Sequence, residues 1–170
     1  MIVYLIGFMA CGKTTIGNEL AKTLNFEFID LDYYIEEKYN KTIKQIFEYN
    51  GEEYFRIIEN EALREISSIQ GNLIIAAGGG TSCFYNSIDY MNKTGFTVYL
   101  KAEVGELVSR LIASKTDRPL LWGKTQQELN EYILRVLDER KKYYEKAKIS
   151  VDSTSIDVAQ LAQTIKAAID

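Results

Sequence analysis

The 170-residue sequence contains no histidine, which excludes serine–histidine–aspartate triads, imidazole general bases and almost every catalytic zinc site. Its two cysteines are too few for a disulfide framework and are typical of a reducing, cytoplasmic compartment. No apolar run approaches the ~20 residues that a membrane-spanning helix needs. The apolar N-terminus also lacks the basic flank and cleavage site of a signal peptide. We therefore expect a cytoplasmic protein with no membrane partner.

The sequence also has little excess charge, with 20 Lys and Arg against 24 Asp and Glu and a net charge of −4. This balance argues against non-specific binding to nucleic acid, although it permits a local basic pocket. The length fits one domain, and the 46% apolar content is that of a globular protein. No heptad or long exposed apolar helix face demands a dimer, so a monomer is the default expectation.

The only proline is Pro119, and no linker or repeat divides the chain, so residues 1–170 are expected to form a single domain. Short apolar runs alternate with longer segments at helical spacing. Strands are predicted at residues 2–6, 26–29, 73–77, 97–100 and 149–151. Helices are predicted at residues 14–24, roughly 33–69 with a break at Gly51, 104–113, 126–146 and 157–168. This alternation indicates a doubly wound α/β domain whose parallel sheet is covered by helices on both faces. Ligands of such sheets bind beyond the C-terminal strand ends.

The segment from Gly7 to Thr14 fits the pattern G-x-x-x-x-G-K-[ST] between a strand and a helix. Glycines let backbone N–H groups turn toward a phosphate, and the helix N-terminus adds partial positive charge. Lys13 can reach the β- and γ-phosphates, and the Thr14 hydroxyl can ligate Mg²⁺. The residues expected to bind ATP here are Ala10, Cys11, Gly12, Lys13, Thr14 and Thr15. The guanine-reading Asn-Lys-x-Asp motif of GTPases is absent, which leaves a small-molecule kinase.

Asp30 and Asp32 follow the second predicted strand. In an extended segment both carboxylates would face the nucleotide site, where Asp30 could support Mg²⁺ and Asp32 could take a proton from a hydroxyl acceptor. The alternative is that they cap the following helix, a common role of aspartate. The neighbouring phosphate loop favours the functional interpretation.

Two further features point to an anionic acceptor. Arg56 and Glu59 share a helix face, so a held guanidinium could bind a carboxylate; the alternative is a solvated surface ion pair. The triplet Gly78, Gly79 and Gly80 follows an apolar strand and suggests close approach of a ligand to the main chain, with a tight turn as the alternative.

Arg118 lies in the stretch from Asp117 to Gly123, which is typical of a mobile cover and could bring positive charge onto the transferred phosphoryl group. Arg140 lies near a basic helix end, where an ordinary role would be interaction with the helix dipole.

In this order, these motifs resemble the shikimate kinase family over nearly the whole chain. The motifs are the loop Gly7 to Thr14, Asp30-Leu31-Asp32, Phe55-Arg56-x-x-Glu59, Gly78 to Gly80, Arg118-Pro119-Leu120-Leu121 and Arg140-x-x-x-Tyr144. Ala10 and Cys11 depart from the family, which more often has Gly and then Ser or Ala at these positions.

The resemblance implies a three-layer P-loop kinase domain with strand order 2-3-1-4-5 and transfer of the ATP γ-phosphate to the 3-hydroxyl of shikimate in aromatic amino-acid biosynthesis. It implies that Lys13 and Arg118 stabilise the phosphoryl group and that Thr14 and Asp30 serve Mg²⁺. Arg110 would contact adenine. The residues that the resemblance assigns to shikimate are Asp32, Arg56, Gly78, Gly79, Gly80 and Arg140. Residues 33–60 would form the substrate-binding segment and residues 112–124 the lid.

Two alternatives stay open at this point. A related kinase could act on another polyol acid such as gluconate, or the chain could be a nucleotide-dependent binding protein without transfer activity. A redox role for Cys11 and Cys83 is a lesser hypothesis, since a free cysteine is more often a small apolar filler.

Overall fold

A computed structural model describes residues 1–114 and 123–168. Its centre is one five-stranded sheet in the order β2-β3-β1-β4-β5, with every neighbouring pair parallel. The strands are β1 (Ile2–Ile6), β2 (Glu27–Asp30), β3 (Leu73–Ala76), β4 (Phe96–Lys101) and β5 (Ile149–Asp152). The expected fold class and strand order are confirmed.

Seven α-helices accompany the sheet in the described ranges. They are α1 (Lys13–Leu24), α2 (Leu31–Tyr39), α3 (Ile43–Ile66), α4 (Ser87–Thr94), α5 (Val104–Ala113), α6 (Gln126–Tyr144) and α7 (Val158–Ala167). The predicted break at Gly51 is confirmed, because this residue has φ 80° and ψ 174° inside α3. A second break was not predicted: Asn40, with φ 48°, ends α2, and Thr42 starts α3 through a capping box with Gln45. Helix α4 and a short 3₁₀ turn at Thr81–Cys83 were also not predicted.

The sheet separates two apolar cores because side chains alternate along each strand. From β1, Val3 and Leu5 join the core formed with α1, α5, α6 and α7, whereas Tyr4 and Ile6 join the one formed with α2, α3 and α4. All five residues of β1 are buried, so the central strand is covered on both faces. None of the helices in the described ranges has the length and apolarity needed to cross a membrane. The parallel order brings the C-terminal ends of β1, β2 and β3 to one edge, where the predicted motifs meet.

Candidate active site

The loop after β1 has the backbone of a phosphate-binding loop. Gly7 and Gly12 have φ of 144° and 100°, and Ala10 adopts the left-handed conformation with φ 64°. A Cβ on Gly7 would lie 2.6 Å from the carbonyl oxygen of Leu100, so only glycine fits there. Helix α1 begins at Lys13 with Gly12 as N-cap and no side-chain cap. The N-terminus of α1 therefore presents backbone N–H groups that an anion can bind.

Lys13 lies at the centre of this loop. Its Nζ donates hydrogen bonds to the carbonyl oxygens of Gly7 and Phe8, both at 2.9 Å. These two contacts hold the Lys13 ammonium over the loop, and neither of the two acceptors is a carboxylate. Cys11 is buried beside it, with Sγ 3.7 Å from the Lys13 Nζ, and burial raises the pKa of the Cys83 thiol. The raised pKa makes Cys83 a poor nucleophile, and a redox role for the two cysteines stays a hypothesis.

Thr14 and Asp30 meet beside the loop, as the sequence predicted for a metal-binding pair. The Thr14 hydroxyl donates a 2.6 Å hydrogen bond to Oδ2 of Asp30. The other carboxylate oxygen of Asp30 accepts from the backbone N–H groups of Asp32 and Tyr33, so Asp30 is also the N-cap of α2. The capping interpretation of Asp30 is therefore confirmed, and its role toward Mg²⁺ stays a prediction. In the described ranges no group of three or more acidic, cysteine or histidine side chains forms a metal cage.

Asp32 differs from its predicted geometry. The expected extended segment is wrong, because the cap at Asp30 turns the chain into helix α2 at Leu31 and puts Asp32 in the first helical turn. Its carboxylate nevertheless reaches the third strand end, since Oδ1 lies 3.2 Å from the position of a Cβ on Gly78. Asp32 lines the same cavity as Thr14 and Asp30.

Arg56 and Glu59 form a buried pair rather than a surface one. The Arg56 Nη1 lies 2.9 Å from Oε2 of Glu59, and the residues are 5% and 2% exposed. Thr81 donates a 2.7 Å hydrogen bond to the other Glu59 oxygen. Burial lowers the pKa of Arg56, but the charges of Glu59 and Glu52 outweigh burial, so its pKa is raised. The solvated-pair alternative is therefore excluded, and Glu59 holds a permanently charged guanidinium in place.

The glycine triplet is explained by the space around this pair. A Cβ on Gly80 would lie 2.7 Å from Arg56 Cζ, and one on Gly78 would lie 2.5 Å from Glu59 Oε1. A Cβ on Gly79 would lie 3.0 Å from the backbone nitrogen of Met9. The backbone conformation does not demand glycine, since none of the three has a positive φ. The protein's own arginine, glutamate and phosphate loop approach these glycines closely, and the predicted close approach of a ligand stays a prediction.

Arg140 enters the site from α6. Its Nη1 donates a 3.0 Å hydrogen bond to the carbonyl oxygen of Gly79, and its guanidinium lies 5.7 Å from the centre of the Phe8 ring. Tyr144, one turn later, donates to the same oxygen and stacks on Tyr99. Burial raises the pKa of Tyr144, so its hydroxyl stays a donor. Because Arg140 is buried inside the site, the alternative role, interaction with the helix dipole at an exposed helix end, does not account for its position.

Sequence reasoning missed two residues of the site. Phe84 lies with its ring 4.7 Å from the Arg56 guanidinium carbon, and no sequence pattern marks it. Ser153 follows β5 and has a buried hydroxyl with no hydrogen-bond partner among the described residues. A buried polar atom without a partner calls for an explanation, and Ser153 lines the same cavity as the predicted site residues. Arg110, the predicted adenine contact, donates to the Ala10 carbonyl oxygen at 3.2 Å and pairs with Glu106.

One cavity of about 920 Å³ collects these groups. Of the predicted site residues, those that line it are Ala10, Gly12, Lys13, Thr14, Thr15, Asp30, Asp32, Arg56, Gly78, Gly79, Gly80, Arg110 and Arg140. Cys11 is buried beneath the loop instead. Arg118 and residues 115–122 of the predicted lid lie outside the described residues. The arrangement places a phosphate-binding loop, an oxygen pair suited to a hard cation, and two buried arginines around one space.

Comparison with known proteins gives a consistent result. The family model described as shikimate kinase matches residues 9–170. A shikimate kinase of Parabacteroides distasonis is 44% identical over 167 residues, which cover 96% of each chain. The crystal structure of shikimate kinase from Bacteroides thetaiotaomicron superimposes with a TM-score of 0.90 at 36% identity, covering 99% of this chain and 98% of that one. The enzyme from Acinetobacter baumannii, in complex with shikimate, gives 0.87 at 34% identity, covering 99% and 92%.

Proposed function

The chain belongs to the shikimate kinase family, and on that premise we propose that it transfers the γ-phosphate of ATP to the 3-hydroxyl of shikimate. The products are shikimate 3-phosphate and ADP, within aromatic amino-acid biosynthesis. The observation that carries the proposal is the shared cavity, in which the phosphate loop faces the buried Arg56 and Arg140. A phosphorylated donor and a carboxylate acceptor fit the two ends of that cavity.

At the donor end, we propose that the backbone N–H groups of Ala10 to Thr15 and the Lys13 ammonium hold the β- and γ-phosphates. Arg110 is held against the loop by the Ala10 carbonyl and by Glu106, and we propose that its guanidinium contacts the adenine. The unpartnered hydroxyl of Ser153 lines the same cavity and is suited to hydrogen-bond the nucleotide.

Thr14 and Asp30 fit a Mg²⁺ ion carried by the nucleotide. Both present oxygen, the ligand type of Mg²⁺, and their 2.6 Å contact brings the two oxygens to one point. Mg²⁺ in kinases takes few protein ligands and completes its shell with phosphate oxygens and water, so a protein cage is not required. When bound, the ion neutralises charge on the phosphates.

At the acceptor end, the buried guanidinium groups of Arg56 and Arg140 are suited to hold the shikimate carboxylate beside Gly78, Gly79 and Gly80. Asp32 is the carboxylate that we propose contacts the acceptor hydroxyl. The hydroxyl oxygen forms a bond to the γ-phosphorus, the bond from that phosphorus to the bridging oxygen of ADP breaks, and the hydroxyl proton passes to the Asp32 carboxylate.

We propose that Arg118 adds positive charge to the transferred phosphoryl group and that residues 112–124 form a lid over it. Residues 33–60, which include α2 from its third residue onward and α3 as far as Asn60, form the proposed substrate-binding segment. We further propose that residues 1–170 form one kinase domain, which acts in the cytoplasm as a monomer.

The test is ADP release from Mg-ATP with and without shikimate, with gluconate and quinate as parallel acceptors. A large rise with shikimate alone is expected. Turnover with gluconate in place of shikimate would favour the related polyol-acid kinase. Tight ATP binding without turnover on any acceptor would favour the nucleotide-dependent binding protein and would overturn the kinase assignment.

A further inference from the structure

The chain itself contacts the edges and a face of the Arg56 guanidinium. Nη1 donates to Glu59, while Nε and Nη2 donate to Oε1 of Glu52 at 3.3 and 3.1 Å. Cζ lies 2.7 Å from the position that a Cβ on Gly80 would take, and the centre of the Phe84 ring lies 4.7 Å from Cζ. The paired donors Nε and Nη2 form the edge that recognises a carboxylate in bidentate fashion. Glu52 therefore holds the edge that is best suited to a carboxylate ligand.

The two glutamates that bind Arg56 differ in their surroundings. The Glu59 side chain is 3% exposed and is held by Thr81 as well as by Arg56. The Glu52 side chain is 47% exposed and follows directly after Gly51, where α3 is interrupted. An exposed ion pair is weak because water screens it and its side chains lose freedom when they pair. Of the two carboxylates, Glu52 is the one that another anion can displace.

The charges of this cluster oppose an anionic ligand while Glu52 is in place. Arg56 carries one positive charge, and Glu52 and Glu59 carry two negative charges, so the three together are net negative. A substrate carboxylate that approaches Arg56 meets that negative charge. Once Glu52 turns outward, Arg56 and Glu59 are balanced, and Arg140 supplies net positive charge from the other side of Gly79.

From these contacts we propose that Glu52 is a specificity-determining residue, an internal competitor that an acceptor's carboxylate must displace from Arg56. The inference rests on the proposed function, because it takes the acceptor to be shikimate. An acceptor with a carboxylate replaces the lost ion pair by one of the same kind. A neutral polyol has no group to exchange for Glu52, so the contact selects for an acid. The same contact lowers the affinity for shikimate itself.

The test compares Glu52→Gln with Glu53→Gln. Glu53 is exposed, carries the same charge at the same helical interruption, and among the described residues Arg56 pairs with Glu52 and Glu59 and not with it. We expect Glu52→Gln to lower the KM for shikimate by about two- to fivefold, the range of one partly exposed ion pair. The kcat and the KM for ATP should stay within about a factor of two, since the hydrogen bonds of Glu52 join it to Arg56 at the acceptor end of the cavity.

A KM for shikimate that rises in Glu52→Gln would show that Glu52 supports the position of Arg56, and this would overturn the proposal. An unchanged KM, or an equal fall in Glu53→Gln, would also overturn it. Failure of the proposed function is seen separately, as absence of shikimate turnover in the unaltered protein. In that event, calorimetric titration with shikimate decides: tighter binding by Glu52→Gln than by the other two proteins supports the competitor role, and equal binding overturns it.

Discussion

Replacement of Gly80 by alanine tests whether the glycine triplet serves the arginine or the ligand. The added Cβ would lie 2.7 Å from Cζ, Nη1 and Nη2 of Arg56, roughly 0.7 Å short of ordinary contact distance. Arg56 cannot yield freely, because its Nη1 is bound to the buried Glu59 at 2.9 Å. A retreat of the guanidinium by that amount stretches this hydrogen bond beyond about 3.5 Å, where it no longer contributes.

The expected effect has a stability part and a binding part. Overpacking of a buried site costs about 1–3 kcal/mol, which for a chain of this length lowers Tm by about 3–10 °C. A displaced Arg56 also loses a charge-assisted hydrogen bond to the acceptor, about 1.5–3 kcal/mol. That energy corresponds to a rise of about ten- to a hundredfold in the KM for shikimate. The KM for ATP should change little, because the three atoms nearest to the added Cβ all belong to Arg56.

Steady-state kinetics with varied shikimate and thermal denaturation measure both parts. Gly105→Ala is the matched control: Gly105 lies in α5, nothing stands within 4 Å of its Cβ position, and the change should stabilise the helix by about 0.5–1 kcal/mol. In an Arg56→Ala background the stability cost of Gly80→Ala should fall by more than half, since the clashing group is gone. A normal shikimate KM and Tm in Gly80→Ala would refute the steric explanation.

Three further substitutions test other parts of the site. Asp32→Asn should lower kcat by about 10²–10⁴-fold while ATP binding, measured by calorimetry, is largely preserved; near-normal turnover would remove Asp32 from proton transfer. Ala10→Gly should relieve the strain of the left-handed backbone conformation at φ 64°. Glycine also gives the unfolded chain more conformational freedom, which offsets part of this gain, so we expect a net stabilisation of about 0.5–1 kcal/mol in thermal denaturation. A lower Tm in Ala10→Gly would contradict the inference that the Ala10 backbone is strained. Tyr144→Phe removes one of two donors to the Gly79 carbonyl and should cost about 1 kcal/mol in urea unfolding; no loss would mean that Arg140 alone satisfies that oxygen.

Most of the fold could be predicted because the central strands are buried on both faces. Residues 2–6 and 73–76 are continuous apolar runs, which no exposed element would tolerate. Helix α4 was not predicted, and the reason lies in the residues at its start. Its start at Asn86, with φ 55°, follows Tyr85, with φ 50°, and neither residue caps the helix through its side chain. Two successive left-handed residues other than glycine have no recognisable sequence signal.

The residue types of the site could be predicted more reliably than its contacts. The spacing of Arg56 and Glu59 predicts that they share a helix face. Their burial, however, depends on the packing of α3 against the turn at Thr81, which is distant in sequence. The predicted extended geometry of Asp32 failed because alternation along a strand was applied beyond Asp30, where the cap begins a helix. Phe84 and Ser153 show the same limit, since a single aromatic ring or hydroxyl acquires meaning only from its neighbours in space.

A protein of net charge −4 can still attract two anionic substrates because of how its cations are held. Lys13 and Arg140 donate to neutral backbone carbonyls, so their positive charge stays available to a ligand. Arg56 instead faces two carboxylates, which fix its orientation but cancel its field. On the proposed function, we expect Lys13 and Arg140 to supply the attraction at short range, and Arg56 to orient the acceptor through the planar geometry of its paired donors. This division accounts for glycine at position 80: we expect the position of Arg56 to matter more than its charge, and a shift of roughly 0.7 Å to remove what Arg56 contributes.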